Sequence, residues 1–219
     1  MPYTYRGVEI TWLGHDSFLI KKEKTIYIDP YQIGGGPSAD IVLITHDHFD
    51  HLSLEDLRKI VADKTVTVAA RNCEHELSRL GRGSVKYVSP GETVAVDDVA
   101  IRAVPAYNVN KFREPGKVFH PREYGGVGYL LTVGGVTIYH AGDTDHIPEM
   151  AGLQPDIALL PVSGTYVMTA AEAAEAAKAI KPKIAIPMHY GAIVGTEKDA
   201  EEFKKLYGGE TIILKKEKP

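Results

Sequence analysis

Residues 41–51 constrain the fold most strongly, because an apolar run there leads directly into a dense cluster of histidine and aspartate. Ile41–Thr45 has the composition of a buried strand, and the next six residues contain three histidines and two aspartates. His46 and His48 are two residues apart, so their side chains point the same way in an extended chain. Neutral imidazoles and carboxylates at this density are typical of a metal site and unusual in a solvated turn.

The same pattern recurs at three later apolar runs, each of which ends in small or polar residues. The runs and the residues that follow them are Val136–His140 with Ala141-Gly142-Asp143, Asp156–Pro161 with Val162-Ser163-Gly164, and Lys183–Pro187 with Met188-His189-Tyr190-Gly191. Buried strands carry site residues at their carboxyl ends, and small residues there allow loops to approach closely. We therefore expect these strand ends to converge on one site.

Short β-type runs dominate the first third of the chain, and helical patterns are interspersed later. Strands are also predicted at Val8–Leu13, Ser17–Ile20, Thr25–Ile28, Val66–Ala69, Val85–Val88, Thr93–Val96, Val99–Pro105 and Gly128–Val133. Helices are predicted from Leu54 to about Ala62, at Glu74–Leu80, from a capping box at Thr169–Glu172 to about Ile180, and from Thr196 to Tyr207. This order favours two sheets covered by helices over one doubly wound sheet.

Three motifs together resemble the metallo-β-lactamase superfamily of metal-dependent hydrolases: His46-x-His48-x-Asp50-His51, Gly142-Asp143-Thr144 and His189-Tyr190-Gly191. Trp12-Leu13-Gly14-His15-Asp16-Ser17-Phe18 and Asp29-Pro30 are similar to its N-terminal strands. These N-terminal segments most resemble those of the superfamily branch that contains ascorbate-6-phosphate lactonase and N-acylphosphatidylethanolamine phospholipase D. The resemblance implies an α+β fold, a four-layer αβ/βα sandwich formed as a single domain over residues 1–219, with a two-metal site at one edge of the sheets.

The resemblance also implies which side chains hold the two divalent ions. The first ion takes His46 and His48, the second takes Asp50, His51 and His189, and Asp143 bridges both. Two divalent ions outweigh the charge of two carboxylates, so a bridging water loses a proton near neutral pH and becomes the nucleophile. Asp50 is the expected catalytic carboxylate, which orients this water. Zn²⁺ is the expected ion, with Mn²⁺ or Fe²⁺ as alternatives.

One position departs from the superfamily's pattern, because no histidine follows the predicted strand Val99–Pro105. Asn108 is the positional match and offers a carbonyl oxygen, which is a weaker zinc ligand than imidazole. His120 is the alternative and would reach in from the following loop. The sequence leaves open whether Asn108 or His120 completes the first metal site. It also leaves open whether that site is weaker or vacant.

Residues 108–126 show little periodicity and are rich in basic side chains. We expect a lid over the metals whose basic groups, including Lys111, engage an anionic small-molecule substrate; the alternative is a solvated surface loop. Tyr190 is a candidate substrate contact, with packing as its alternative. His15 is expected either beside a metal ligand or as a core histidine.

Composition limits the remaining classes of function. The balance of 25 basic and 29 acidic residues disfavours a broad nucleic-acid interface. No apolar run approaches the length of about 18 residues that crosses a bilayer, and the N-terminus lacks the regions of a secretory signal. The single cysteine, Cys73, excludes an internal disulfide, so we expect a cytoplasmic protein. A homo-oligomer is compatible with these features, but nothing in the sequence indicates one.

The sequence therefore predicts a metal-dependent hydrolase with a binuclear site that acts on a phosphoester, lactone or related ester. One alternative is a mononuclear metal oxygenase-like relative with two histidines and one carboxylate. The other is a non-catalytic metal- or ligand-binding relative, weakened by the absence of a histidine at Asn108. The near-complete second ligand set, with Asp50 present, argues against the oxygenase. Loss of turnover in His46→Ala would distinguish an enzyme from a binding protein.

Overall fold

Seven strands from residues 3–88 form the first of two large sheets, and they follow one another in sequence order. The computed structural model describes residues 1–218. The strands are β1 (Tyr3–Tyr5), β2 (Val8–Gly14), β3 (Ser17–Lys21), β4 (Thr25–Ile28), β5 (Ala39–Ile44), β6 (Val61–Ala70) and β7 (Ser84–Val88). The pairs from β1 to β4 are antiparallel, and those from β4 to β7 are parallel. Parallel pairs need crossovers, and two of these contain helices α1 (Leu54–Ile60) and α2 (Glu74–Leu77).

The rest of the chain supplies a second sheet of six strands and a small separate hairpin. The strands are β8 (Thr93–Val96), β9 (Val99–Pro105), the hairpin pair β10 (Phe112–Glu114) and β11 (Lys117–Val118), β12 (Val127–Val133), β13 (Val136–His140), β14 (Ile157–Pro161) and β15 (Ile184–Met188). Their order in the second sheet is β15-β14-β13-β12-β9-β8. Helices α3 (Ala170–Ile180) and α4 (Glu197–Tyr207) pack on each other and against β14 and β15. Within residues 1–218, no helix is both long and apolar enough to cross a bilayer.

Tyr129 connects the two sheets through the core. Its side chain is fully buried on β12, and its hydroxyl donates a hydrogen bond to the carbonyl oxygen of Ile44 at the end of β5 (2.8 Å). The carbonyl oxygen of Val68 on β6 lies 3.3 Å from the same hydroxyl. A buried tyrosine needs such partners for its only polar side-chain atom. The two facing sheets confirm the predicted α+β sandwich.

The bounds of α3 are set by local chemistry. The Thr169 hydroxyl accepts a hydrogen bond from the Glu172 N–H (3.2 Å), and the Thr169 N–H donates to the Glu172 carboxylate (2.7 Å). Lys181 ends the helix in the left-handed region (φ 57°), immediately before Pro182. This capping box confirms the prediction. The last helix also begins directly after Thr196, as predicted.

Two predicted helix ends lie too far along the chain. α1 ends at Ile60 rather than Ala62, because Val61 already pairs with Ala39 and begins β6. α2 ends at Leu77 rather than Leu80. In the first case, strand pairing across the sheet overrides a helical pattern that continues in the sequence.

Residues 108–126 are more regular than the sequence predicts. They contain the β10–β11 hairpin and a short 3₁₀ turn at Arg122–Tyr124. At the base of the hairpin, the Asn108 N–H donates to the carbonyl oxygen of His120 (2.7 Å). Most side chains of these short strands are charged or exposed, so the sequence has no apolar alternation there that would predict a strand.

Gly128 on β12 has no room for a side chain. A Cβ atom there would lie 2.6 Å from the carbonyl oxygens of both His140 and Ala141, at the end of β13. We expect Gly128→Ala to lower the free energy of unfolding by about 1–3 kcal/mol, as overpacking does, measured by urea denaturation. Gly34→Ala is the matched control, because the added Cβ meets nothing within 4 Å. Equal unfolding midpoints for the two variants would contradict this prediction.

Candidate metal centre

The carboxyl ends of strands from both sheets meet at one edge of the sandwich. β5 leads into His46, β13 leads towards Asp143, and β15 leads into His189. The His189 N–H donates a hydrogen bond to the carbonyl oxygen of His15 (3.2 Å), which joins the end of β15 to the turn after β2. The strand ends that carry the predicted site residues therefore converge, as expected from the sequence.

Asp143 lies at the centre of this cluster, and its two oxygens face different imidazoles. Oδ2 is 3.5 Å from Nε2 of His120 and 3.9 Å from Nε2 of His46. Oδ1 is 3.3 Å from Nε2 of His51 and 3.4 Å from Nε2 of His189. One buried carboxylate thus stands between two groups of imidazoles.

Each of the four imidazoles around Asp143 is fixed through its other ring nitrogen. The partners of Nδ1 are Thr45 Oγ1 for His46 (3.0 Å), Asp29 Oδ2 for His51 (2.8 Å), Asn108 Oδ1 for His120 (2.9 Å) and Ser163 Oγ for His189 (2.9 Å). A partner at Nδ1 sets both the orientation and the tautomer of a metal-binding histidine. Nε2 is consequently the nitrogen that each ring directs towards the common centre.

The candidate ligand atoms form three groups, two of which share His51 and His189, and within each group the atoms lie within 4.8 Å of one another. The groups are His46, His48 and His120; His15, Asp50, His51 and His189; and Asp16, His51, Asp143 and His189. Within residues 1–218, no hydrogen-bond partner satisfies the buried Nε2 atoms of His46, His51 and His189 or the buried Oδ1 of Asp143. Unpaired buried polar atoms are costly. Because these atoms converge and belong to types that bind divalent cations, the residues fit a metal site.

Burial and charge set the protonation of these rings. Burial lowers the pKa of His120 to about 4 and holds the pKa of His46 well below its usual value, so both rings are neutral at pH 7. Burial also opposes a charge on His189, but the carboxylates of Asp143 and Asp16 outweigh it and raise the pKa of His189 to about 9. A neutral ring offers its lone pair to a cation directly, whereas His189 would release its proton as a cation binds.

The structure brings His120, rather than Asn108, to the open side of the first group. The Asn108 carbonyl oxygen accepts hydrogen bonds from both the backbone N–H and Nδ1 of His120 (2.9 Å each). Its amide nitrogen donates to the carbonyl oxygen of Tyr166 (2.9 Å). Asn108 therefore positions His120, whose Nε2 lies 3.2 Å from Nδ1 of His48. Of the two alternatives left open by the sequence, the geometry favours His120 as the third imidazole.

Lys111 does not have the position expected of a substrate-binding lid residue. Its ammonium lies 2.7 Å from the Glu172 carboxylate and 3.3 Å from the Asp145 carboxylate, and its side chain is 13% exposed. The pair with Glu172 attaches residues 108–126 to the start of α3, and the pair with Asp145 attaches them to the loop after β13. Because two acidic side chains of the protein already pair with its charge, the geometry disfavours Lys111 as a contact for an anionic substrate.

Tyr190 packs away from the centre, whereas His15 contacts it. The ring of Tyr190 is 3% exposed, lies 4.7 Å from the ring of Trp12, and lines a separate cavity. The geometry therefore favours the packing alternative for Tyr190. His15 is buried, and its Nε2 lies 3.0 Å from Oδ2 of Asp50. It thus lies beside a predicted ligand, which was one of its two expected positions.

Sequence reasoning gave no role to Asp16 and cited Asp29 only for its resemblance to a family motif. Asp16 is fully buried, burial raises its pKa well above the usual value, and its Oδ2 lies 3.8 Å from Nδ1 of His51. Asp29 follows β4 directly, in the pattern of an apolar run that ends in a polar residue. Applying that pattern to the apolar run Thr25–Ile28 would have identified Asp29 as a site residue.

Asp29 accepts three hydrogen bonds in the core: from the N–H (2.8 Å) and hydroxyl (2.6 Å) of Thr45 and from Nδ1 of His51 (2.8 Å). Asp29→Ala leaves these donors unpaired, so we expect the free energy of unfolding to fall by about 3–5 kcal/mol. Urea denaturation of chelator-treated protein measures this loss without any contribution from metal. The control is Asp63→Ala, since exposed Asp63 pairs with Arg82 at the surface. This substitution should cost less than about 1 kcal/mol. Similar losses in both variants would count against the role of Asp29.

Known proteins resemble this chain over nearly its whole length. Residues 9–189 match the model of the Beta-lactamase superfamily domain. A UPF0173 metal-dependent hydrolase of Archaeoglobus fulgidus is 35% identical, covering 95% of this chain and 96% of its own, and one of Pyrococcus furiosus gives the same figures. The crystal structure of a protein from Parabacteroides distasonis, described as a metal-dependent hydrolase, has a TM-score of 0.81 and 36% identity, covering 95% of this chain and 94% of that chain. The predicted family and enzyme class are thereby confirmed, and the chain belongs to the β-lactamase superfamily of metal-dependent hydrolases.

Proposed function

We propose that this protein hydrolyses an ester-type bond, in a phosphoester, a lactone or a related ester, with the help of two divalent metal ions. The placement of Asp143 supports this proposal most strongly. One of its oxygens faces His46 and His120, and the other faces His51 and His189. A carboxylate in this position is suited to bridge two cations, which is the arrangement of two-metal hydrolases.

The proposed ligands follow from the groups of converging side chains. The first ion takes His46, His48 and His120, the second takes Asp50, His51 and His189, and Asp143 is shared. Three imidazoles suit Zn²⁺, whereas a set that contains more carboxylate also accepts Mn²⁺ or Fe²⁺.

The side chains around the proposed ions have separate tasks in the reaction. When bound, the ions supply a hydroxide nucleophile near neutral pH and polarise the bond that is cleaved. Asp50 accepts a hydrogen bond from the attacking water and orients it. His15 holds Asp50 in turn: burial lowers the pKa of His15, so its neutral ring donates one N–H to that carboxylate. Hydrolysis adds the water oxygen to the acyl or phosphoryl centre, and a proton passes to the leaving alkoxide.

The two alternatives differ from this proposal in metal content or turnover. A mononuclear oxygenase site needs two histidines and one carboxylate, whereas four imidazoles surround Asp143 here. A binding protein would retain both ions without turning over any ester.

The first test combines metal content with activity. After reconstitution with Zn²⁺ or Mn²⁺, we expect two ions per chain and hydrolysis of at least one member of a panel of phosphodiesters, lactones and nitrophenyl esters. His46→Ala should lose one ion and lower kcat/KM by about a hundredfold or more. His75→Ala, which alters an exposed histidine outside the cluster, is the control. One ion per chain would favour the mononuclear alternative, and two ions without turnover would favour the binding protein.

A second test determines whether His120 or Asn108 is the third ligand of the first ion. We expect His120→Ala to lose one ion, whereas Asn108→Ala should retain both and lower metal affinity by about 10–100-fold, as the loss of an orienting partner does. Competition with a chromophoric chelator measures both affinities. Asn108→Asp keeps an acceptor for Nδ1 of His120 but loses the donor to the Tyr166 carbonyl, so its metal affinity should fall less than that of Asn108→Ala. Loss of an ion in Asn108→Ala, with both ions kept in His120→Ala, would make Asn108 the ligand instead.

A further inference from the structure

A cavity of about 260 Å³ opens beside the candidate metal centre, with a polar floor and largely apolar walls. The floor is formed by His48, Asp50, His120 and Asp143, and the walls are formed by Phe49, Phe119, Tyr166 and Ile193. Phe49 is 67% exposed and Ile193 is 41% exposed, so these two large apolar side chains remain uncovered. Exposed apolar groups around a cleft with a few polar groups are typical of a ligand site.

The cavity offers no side-chain cation, since none of the described residues that line it is lysine or arginine. Lys111 is held by Glu172. Arg122 pairs with Glu149, with 2.7 Å between nitrogen and oxygen. A carboxylate or phosphate on the part of a ligand remote from the metals would lose its hydration among the walls and gain no cationic partner. Such unpaired burial of charge is costly.

Tyr166 is held in place as a wall of this cavity. Its backbone has a φ of 69°, in the left-handed region that bulky residues avoid. Its carbonyl oxygen accepts a hydrogen bond from the Asn108 amide, and its ring packs edge-to-face on Phe119 with 4.6 Å between centroids. Strain of this kind is costly and persists where surrounding contacts determine the conformation. The aromatic wall is therefore formed before any substrate arrives.

We infer that the substrate carries an uncharged apolar group, a short alkyl chain or a single aromatic ring, on the side of the cleaved bond that is remote from the metals. This inference rests on the proposed function and narrows it. The ester lies over the polar floor, and the apolar group contacts the four wall residues. Hydrolysis consumes one water and yields an acid and an alcohol, one of which bears the apolar group. This inference differs from the anionic substrate expected from the sequence.

The test compares two 4-nitrophenyl esters with the same leaving group and acyl chain length. The valerate ends in a methyl group, and the hemiglutarate ends in a carboxylate. For the Zn²⁺-loaded protein, we expect kcat/KM for the valerate to exceed that for the hemiglutarate by about tenfold or more. Ile193→Lys places a cation at a cavity wall and should lower the ratio of kcat/KM for the valerate to that for the hemiglutarate. Phe112→Lys adds the same charge at a 54% exposed position outside the cavity lining and should leave the ratio unchanged.

Equal rates, or a preference for the hemiglutarate, would overturn the apolar class while the proposed hydrolase remains supported. If neither ester is hydrolysed with metal, the proposed function fails for carboxylic esters, and binding then decides the inference independently. Saturation-transfer NMR with valeramide and glutaramate measures the binding of a neutral and an anionic amide without turnover. Stronger saturation of valeramide, reduced in Phe119→Ala, supports the inference. Equal or stronger saturation of glutaramate overturns it.

Discussion

Asp143 is a carboxylate buried where the two sheets meet, and the site is arranged around its charge. Removing an ionised carboxylate from water is costly unless opposite charges and donors surround it. Burial alone would raise the pKa of Asp143, but His51 and His189 hold it well below its usual range. His51 follows a strand of the first sheet, and His189 follows a strand of the second. Both sheets must therefore be assembled before this carboxylate is tolerated, which couples the packing of the sandwich to the formation of the site.

Much of this arrangement can be predicted from the sequence, because strands and their ends are local features. The apolar runs before His46 and His189 predict β5 and β15, and the polar residues after them predict where the site lies. Capping chemistry at Thr169 is equally local and predicts the start of α3. The sandwich fold and its family followed from the resemblance of the motifs rather than from periodicity alone.

The remaining features depend on contacts between distant segments. His120 lies 12 residues beyond Asn108, and only the hairpin between them returns its ring to the cluster. The charge of Lys111 suggested a role with substrate, because the sequence does not show that Glu172 captures it. The left-handed backbone of His189 (φ 61°) is likewise invisible in the sequence. A non-glycine residue adopts such a conformation only where the surrounding fold compensates for it.

The carboxamide of Asn108 joins two parts of the site that have different roles. Its oxygen holds His120, and its nitrogen holds the carbonyl group of Tyr166. Movement of either partner therefore displaces the planar carboxamide and, through it, the other partner. If His120 holds a metal ion and Tyr166 contacts the substrate, as proposed, the two binding events would be thermodynamically linked through Asn108, and such linkage is reciprocal. The factor by which a bound substrate would raise the affinity for metal equals the factor by which bound metal would raise the affinity for substrate.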